Sequence, residues 1–322
     1  MKQKALILAL AATLASPAAM SEIKTTLYGK VHVAVESQEV NVKINEDDTT
    51  WAKESRLAVE SHASRFGIKG SIGLNDSLAA IYKLEWQVDV TDDGKTGNLS
   101  SRNQYGGLKG NFGTAIIGRH DTPLKMSQGK YDLFNDTFGD IKTLMSGELR
   151  ADNVVAYGLP GSLGDFGGWI AWVPTEDASD DSTWSLMGNY KSKYVYGAIA
   201  YDDYAAGDSL LRITGVVPIG NFGIGAMYNS GDPVDGGTQN AWSANAYWKI
   251  GNGKVKLQYT DSDGQTVGKA AKVSEGGKQT SIGYNHKLGK RSYVYADYHT
   301  LDINNALKND LDVFALGFVT KF

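Results

Sequence analysis

The end of the chain limits the possible folds more than any other part of the sequence. Segment 312–322 alternates like an extended strand, and its larger apolar side chains share one face: Phe314, Leu316, Phe318 and Phe322. The other face carries smaller residues and ends in Lys321. A soluble β-sandwich could bury such a strand, but a terminal Phe with no polar tail is unusual there. A strand that closes a membrane barrel, with its large apolar face against lipid, explains the pattern better.

The first residues have the chemistry of an export signal. Lys2 and Lys4 precede an apolar stretch, and Ala19 and Ser21 supply small residues at the two positions that a signal peptidase reads. We therefore expect residues 1–21 to be a signal peptide that is removed on export.

The remaining chain, residues 22–322, is expected to form a single barrel domain that starts at Glu22. The apolar stretch of the signal is shorter than the about 20 residues that a spanning helix needs. Charged or strongly polar residues interrupt every later apolar run. Because lipid offers the backbone no hydrogen-bond partners, a membrane protein without a spanning helix must be a closed barrel.

Composition agrees with strands that face lipid on one side and water on the other. The chain has 38 Gly, 17 Tyr and 7 Trp, and its apolar residues occur in short alternating runs. It has no Cys, which excludes a disulfide framework and a thiol nucleophile. Removing residues 1–21 takes away 2 of 32 basic residues and none of 36 acidic ones, so the net charge becomes 30 − 36 = −6. An acidic chain argues against nucleic acid as the natural partner.

Turn signals divide the chain into an even series of strands. Short turns rich in Gly and Asn alternate with longer polar stretches at 37–52, 174–182, 231–239, 262–278 and 302–310. Short periplasmic turns and long extracellular loops are typical of an outer-membrane barrel. We predict sixteen antiparallel transmembrane β-strands, near 25–36, 55–72, 78–91, 100–110, 114–119, 152–158, 168–174, 182–191, 194–202, 208–217, 222–230, 240–249, 254–261, 279–288, 292–301 and 311–322.

Charged residues in the first three predicted strands alternate with apolar ones. Lys30, Arg65 and Lys83 each fall on the polar face of their strand. A Lys or Arg on the lipid face at the membrane midplane costs roughly 2–4 kcal/mol, so these faces predict a water-filled lumen. Six tryptophans are expected in the outer aromatic girdles: Trp86, Trp169, Trp172, Trp184, Trp242 and Trp248.

One insertion, at 120–149, is far longer than the other predicted loops. It mixes acids with large apolar residues such as Phe134 and Ile141, which an exposed loop could not hide from water. A loop that folds into the barrel could pack them against the inner wall and leave its acids at a constriction. The alternative is an ordinary surface loop or a short external helix.

Several segments resemble the Gram-negative general porins in sequence and in order: 28–30, 64–70, 108–113, 118–119 and 150–157. In that family, sixteen strands form each barrel, three barrels form a homotrimer, and the third loop folds inward to narrow the pore. The resemblance implies a location in the bacterial outer membrane, among lipid and lipopolysaccharide. The final Phe322 is similar to the signal that the barrel-assembly machinery recognises, although Thr320 stands where another large apolar residue is typical.

The resemblance also implies which residues line the constriction. Its basic wall corresponds to Lys30, Arg65, Arg119 and Arg150, and its acidic loop residues to Asp136 and Asp140. Further candidates for the lumen are Lys69, Lys83, Lys109, Asp132 and Glu148.

Two of these assignments depend on local geometry or stay open. Arg119 shares its parity with Ile117, so it points inward only if a bulge at Gly118 reverses the alternation. Asp132 and Glu148 compete with the two acids that the resemblance favours.

The function that follows from the resemblance is passive diffusion of small hydrophilic solutes and ions through a trimeric channel, with no cofactor and no catalytic residue. One alternative is a solute-specific channel. Another is an outer-membrane enzyme such as a lipase, but the sequence has no Gly-x-Ser-x-Gly elbow and its five His residues show no metal-ligand spacing.

Overall fold

Sixteen antiparallel strands form a closed barrel in the computed structural model, which describes residues 23–43, 51–92, 97–174, 182–268, 271–304 and 310–322. The predicted signal peptide, residues 1–21, lies outside this range. Within the described part of the chain, every helix is too short or too polar to cross a lipid bilayer.

The strands are defined as follows, in chain order. They are β1 (Ile23–Lys43), β2 (two segments, Trp51–Ser61 and Arg65–Asn75), β3 (Leu78–Val88), β4 (Leu99–Gly110), β5 (Gly113–Asp121), β6 (Arg150–Gly158), β7 (Phe166–Pro174), β8 (Ser182–Lys191), β9 (Tyr196–Asp203), β10 (Ser209–Ile219), β11 (Phe222–Asp232), β12 (Gln239–Ile250), β13 (Gly253–Ser262), β14 (Gly277–Lys287), β15 (Ser292–Ile303) and β16 (Asp310–Lys321). A short helix, α1 (Pro123–Met126), and 3-10 turns at Ile141–Thr143 and Gly161–Leu163 lie between strands.

The first strand holds the barrel closed. It pairs with β16 on one edge, with Val33 opposite Phe318. On its other edge it pairs with both segments of β2, which are therefore one strand interrupted at 62–64. Because every strand has a neighbour on each side, the sheet has no free edge.

The observed strands confirm the predicted fold class and strand count. One predicted loop is shorter than expected, because the polar stretch 37–52 continues the ladder of β1 and β2 as far as Lys43 and from Trp51. Polar side chains in this part pair across the strands, as the Lys53–Glu39 ion pair at 2.8 Å shows. Hydrophilic sequence therefore did not mark the end of the strand.

Apolar side chains cover the outside of the barrel. Leu27, Ile117 and Leu316 are more than half exposed to what would be lipid, while Val313 and Ala315 face inward and are buried. Trp169 does not belong to the outer girdle, so that prediction is wrong. It shares its face with the buried Ala171 and packs inside the barrel.

Candidate functional site

The segment between β5 and β6, residues 122–149, lies inside the barrel and is called the constriction loop. Its large apolar side chains are almost fully buried: Leu124, Tyr131, Phe134, Ile141, Leu144 and Met145. Tyr131, Ile141 and Met145 pack with Met227 of β11 and Ala241 of β12. The predicted inward fold is confirmed, because these groups leave water by packing on the inner wall.

A buried arginine holds the C-terminal part of the constriction loop. The guanidinium group of Arg212, on β10, is fully buried and donates to the carboxylate of Glu148 at 2.9 Å and to the backbone carbonyl of Ser146 at 2.5 Å. Its third donor reaches Asn229 on β11 at 2.9 Å. A buried ion pair in which each guanidinium nitrogen donates a hydrogen bond fixes the loop in one position.

Amide and aromatic contacts hold the middle of the loop. The side-chain amide of Gln258, on β13, donates to Asp132 and to the backbone carbonyl of Gly139, each at 3.1 Å. The ammonium group of Lys256 lies 4.0 Å from the centre of the Phe134 ring. At Gly139 the backbone comes so close to the wall that a Cβ would lie 2.5 Å from the hydroxyl of Ser281.

Asp136 joins the opposite side of the loop to the barrel wall. Its carboxylate lies 2.7 Å from the ammonium group of Lys30 and 3.2 Å from the guanidinium group of Arg65. Burial alone would raise the pKa of Asp136, but the positive charges of Lys30 and Arg65 outweigh it and hold this pKa below its usual range. Asp136 is therefore ionised at neutral pH.

Asp140 shapes the loop from inside. Its carboxylate accepts hydrogen bonds from the backbone N–H groups of Asp136 at 2.9 Å and Lys142 at 3.0 Å, and it pairs with the ammonium group of Lys142 at 2.9 Å. It is 1% exposed, although it borders the lumen. Asp132 has a similar role, because it accepts from the backbone N–H groups of Phe134 and Ile141.

A polar passage of about 820 Å³ remains between the constriction loop and the wall. Its acidic lining residues are Glu36, Glu60, Glu85, Asp121, Asp136, Asp140 and Glu148. Its basic lining residues are Arg65, Lys83, Arg102, Lys125, Lys142, Arg150 and Lys272. Among the described residues, the passage is therefore lined by seven acidic and seven basic side chains, and charges of opposite sign lie close together.

Two further ion-pair groups line the wall. Glu85, on β3, lies 3.3 Å from Lys83 and 2.9 Å from Arg102. Asp121, at the end of β5, lies 2.9 Å from Arg150 and 3.3 Å from Lys125. Arg150 thus stands in the passage, as do Lys83 and Glu148 among the further candidates.

Arg119 lies apart from this group. The register of β5 and β6 shifts between Gly118 and His120, and Gly118 has a φ of 142°, so a bulge is present here. The Arg119 side chain pairs with the exposed Asp152 and does not line the passage among the described residues.

Two other candidate lysines are exposed outside the passage lining. Lys69 places its ammonium group 5.1 Å from the centre of the Tyr28 ring. Lys109 is exposed on β4, next to the short turn into β5.

Sequence reasoning missed several lining residues. Arg102 reaches the passage because the pairing of β3 and β4 shifts in register between Leu84 and Trp86, and no residue pattern marks that shift. Arg212, which is fully buried beside the passage and does not line it, has a clearer signal, since it is a lone arginine among apolar residues of a strand. Asp121, Lys125, Lys142 and Lys272 lie in or beside loops, where strand parity gives no direction.

A metal centre has no support in the described residues. They contain no group of three or more His, Cys, Asp or Glu side chains arranged to hold a metal ion.

Comparison with known proteins places the chain among channels. It matches a family model described as Gram-negative porin over residues 5–306. It is 26% identical over 348 residues to outer membrane porin protein 32 of Delftia acidovorans, which covers 98% of this chain and 92% of that protein. It is also 30% identical over 150 residues to the major outer membrane protein P.IB of Neisseria sicca, covering 47% of this chain and 40% of that protein.

Solved structures show the same fold. An anion-selective porin from Comamonas acidovorans superimposes with a TM-score of 0.73 at 20% identity, covering 94% of this chain and all of that one. OmpF of Salmonella typhi, in complex with daunomycin, superimposes with a TM-score of 0.70 at 16% identity, covering 93% and 98%. With its closed barrel, its inward loop and a family match over most of its length, the chain belongs to the Gram-negative porins.

Proposed function

We propose that this porin passes small hydrophilic solutes and ions across the bacterial outer membrane by passive diffusion, through the passage beside the constriction loop. The observation that carries this proposal is the polar passage itself, lined by paired charges of both signs and bordered by a loop that the wall holds in place. The proposal assigns the chain no catalytic step and no cofactor.

Opposed charges explain how such a passage could select solutes. Two unit charges about 4 Å apart interact by about 1 kcal/mol in bulk water and by about 4 kcal/mol at an intermediate effective dielectric constant. A polar solute aligns with this field, whereas an apolar solute must displace ordered water without compensation. Weak interactions of this kind select by size and polarity and still let the solute leave.

The ion pairs support a modest preference for anions. Seven acids and seven bases of the described residues line the passage, and three further bases pair with lining acids from beside it: Lys30 with Asp136, Arg56 with Glu60 and Arg212 with Glu148. A surplus of positive charge attracts anions and repels cations.

Conductance in planar bilayers tests the channel function. The purified protein should produce stable single-channel steps, and sugars of increasing size should enter proteoliposomes up to a cutoff. A solute-specific channel would instead show flux that saturates for one solute. Absence of conductance, or hydrolysis of lipid by the purified protein, would contradict the proposal.

The assembly that we propose is a homotrimer, exported with the help of residues 1–21 and inserted by the barrel-assembly machinery through Phe322. An apolar groove on the outside of the barrel, bordered by Val33, Val59 and Leu316, supports a protein or lipid contact at the closing strands. Lipid and lipopolysaccharide would surround the rest of the barrel. Light scattering in mild detergent, corrected for bound detergent, should give three chains per particle, whereas a stable monomer would contradict the trimer.

The signal peptide has a separate test. Mass spectrometry of the protein recovered from outer membranes should give a chain that starts near Glu22. Retention of Lys2 and Lys4 would contradict this part of the proposal.

A further inference from the structure

A second loop folds into the barrel mouth and lies on the constriction loop. It comprises residues 263–268 and 271–276, between β13 and β14, and is called the strap. The backbone N–H of Lys272 donates to the carbonyl of Lys142 at 3.1 Å, and that of Val273 donates to the carbonyl of Thr143 at 2.9 Å. The sequence predicted 262–278 as one of the long polar loops, and its inward position was not predicted.

Buried contacts fix the strap in this position. Val267 is fully buried against Leu124 of the constriction loop and Leu210 of β10. The side-chain oxygen of Gln265 accepts from the backbone N–H of Ser146 at 2.9 Å, and Gln265 is also fully buried. These contacts favour the inward position of the strap. In an outward position Val267 would be exposed to water, and the buried N–H of Ser146 would lose the Gln265 oxygen that accepts its hydrogen bond.

The strap brings one more basic residue to the passage. Lys272 lines it together with Lys142, whose ammonium group is 2.9 Å from Asp140. Partial loss of water around Lys272 and the positive charge of the nearby Lys142 lower the pKa of Lys272. The two lysines therefore lie close enough to repel each other.

Lys272 differs from the other charged residues that line the passage. Apart from Glu36, whose partner is the imidazole of His62, each of those has an oppositely charged partner, for example Arg65 with Asp136, Lys83 with Glu85 and Glu60 with Arg56. Lys272 forms no direct ion pair among the residues that the structure describes, and the carboxylate that acts on it, Asp140, is already paired with Lys142 at 2.9 Å.

An unpaired charge acts on ions at a longer range than a paired one. At a distance of several ångströms, the fields of the two members of a close ion pair largely cancel, whereas a single charge is weakened only by dielectric and salt screening. The screening length is about 10 Å at 0.1 M salt. Ions that approach the passage therefore respond to Lys272 more strongly than to any one member of a pair.

We propose that Lys272, placed by the strap, is a specificity-determining residue that favours anions in this passage. The inference rests on the proposed channel function and names one residue that sets its charge preference. Its side chain points into water and its backbone makes the contacts to the constriction loop, so a change of the side chain leaves the fold intact.

Reversal potentials in a KCl gradient at low salt test the proposal, with Lys272→Gln and Lys272→Glu compared with the wild type. Lys272→Gln should shift the potential toward cation preference. Lys272→Glu should shift it about twice as far, because the change in charge is twice as large. Both shifts should shrink at molar salt, where the screening length is about 3 Å. The matched control is Lys193→Gln, an exposed lysine on the short turn between β8 and β9.

The outcomes separate this inference from the channel function. Single-channel steps from each variant show that it has folded and inserted. If the wild type conducts and both Lys272 variants match the Lys193→Gln control, the inference is overturned and the channel function stands. If the wild type does not conduct, the channel function itself is overturned, and the inference with it.

Discussion

The ammonium group of Lys30 lies 2.7 Å from the carboxylate of Asp136, so the first strand touches the constriction loop directly across the lumen. Arg65 contacts the same carboxylate oxygen at 3.2 Å. The wall and the loop therefore do not face each other across open water at this point. Asp136 is a bridge, and one carboxylate compensates part of the charge of two basic groups.

Replacing Asp136 by Asn should shift the reversal potential toward anions, because Lys30 and Arg65 lose their compensating charge. The pKa of Asp136 is held below its usual range, so the carboxylate stays ionised as the pH falls from 7 to about 4. The difference between wild type and Asp136→Asn, measured at each pH in low salt, should persist over this range. A difference that halves near pH 4 would mean that Asp136 has an ordinary pKa.

Arg65 and Arg119 should differ in their effect on selectivity, although the resemblance gives them the same role. Arg65→Gln removes a positive charge from the passage lining and should shift the reversal potential toward cations. Arg119→Gln should shift it much less, because Arg119 pairs with the exposed Asp152 outside the lining. Each variant serves as the other's control, and equal shifts would place Arg119 at the constriction after all.

Strand parity and turn spacing were sufficient to predict the barrel. The alternation around Lys30 and Arg65 gave both residues their inward direction, and the apolar content of 120–149 gave the loop its burial. These features depend on which side chains can face lipid or water, so they are visible in a single sequence.

The charge pattern of the passage could not be predicted in the same way. Arg102 turns inward at a register shift, and Lys272 arrives on a loop whose burial depends on Val267 and Gln265 finding partners far away in sequence. Long-range packing decides both positions. Parity therefore predicts lining residues within regular strands and fails at bulges and loops.

Arg212→Leu should destabilise the protein and loosen the constriction loop. Glu148 would stay buried without its 2.9 Å partner, and breaking a buried ion pair in this way costs about 3–5 kcal/mol. Burial already raises the pKa of Glu148, although Arg212 and Lys125 oppose it, so the variant should bind a proton there at higher pH than the wild type. Thermal unfolding in detergent measures the loss of stability, and single-channel current noise measures the motion of the constriction loop.

The control for Arg212 is Arg119→Leu. The side chain of its partner Asp152 is 67% exposed, so Arg119→Leu should lower the free energy of unfolding by only about 0–1 kcal/mol. Replacing Arg212 and Glu148 together by Leu should restore part of the stability, because no buried charge is then left unpaired. If Arg212→Leu has the same unfolding temperature and the same single-channel current noise as Arg119→Leu, the Arg212–Glu148 pair does not hold the constriction loop.

Gly29→Val should impair the closing of the barrel. The backbone N–H of Gly29 donates to the carbonyl of Phe322 at 3.1 Å, and the N–H of Phe322 donates back at 3.2 Å, so the last residue is paired with the first strand. A Cβ on Gly29 would lie 2.3 Å from the Phe322 ring and 2.9 Å from the carbonyl oxygen of Arg65. The ring can rotate away, but the backbone oxygen cannot, so we expect slower folding into detergent or liposomes and a lower unfolding temperature.

The shift in electrophoretic mobility between heated and unheated samples measures the folded fraction of the Gly29→Val variant. Gly188→Val is the control, because a Cβ at Gly188, in the middle of β8, meets no atom within 4 Å. If crowding at the closing seam is the cause, Phe322→Ala should not rescue Gly29→Val fully, since the Arg65 carbonyl remains in the way. Equal folding of the Gly29 and Gly188 variants would show that the seam tolerates a side chain at Gly29.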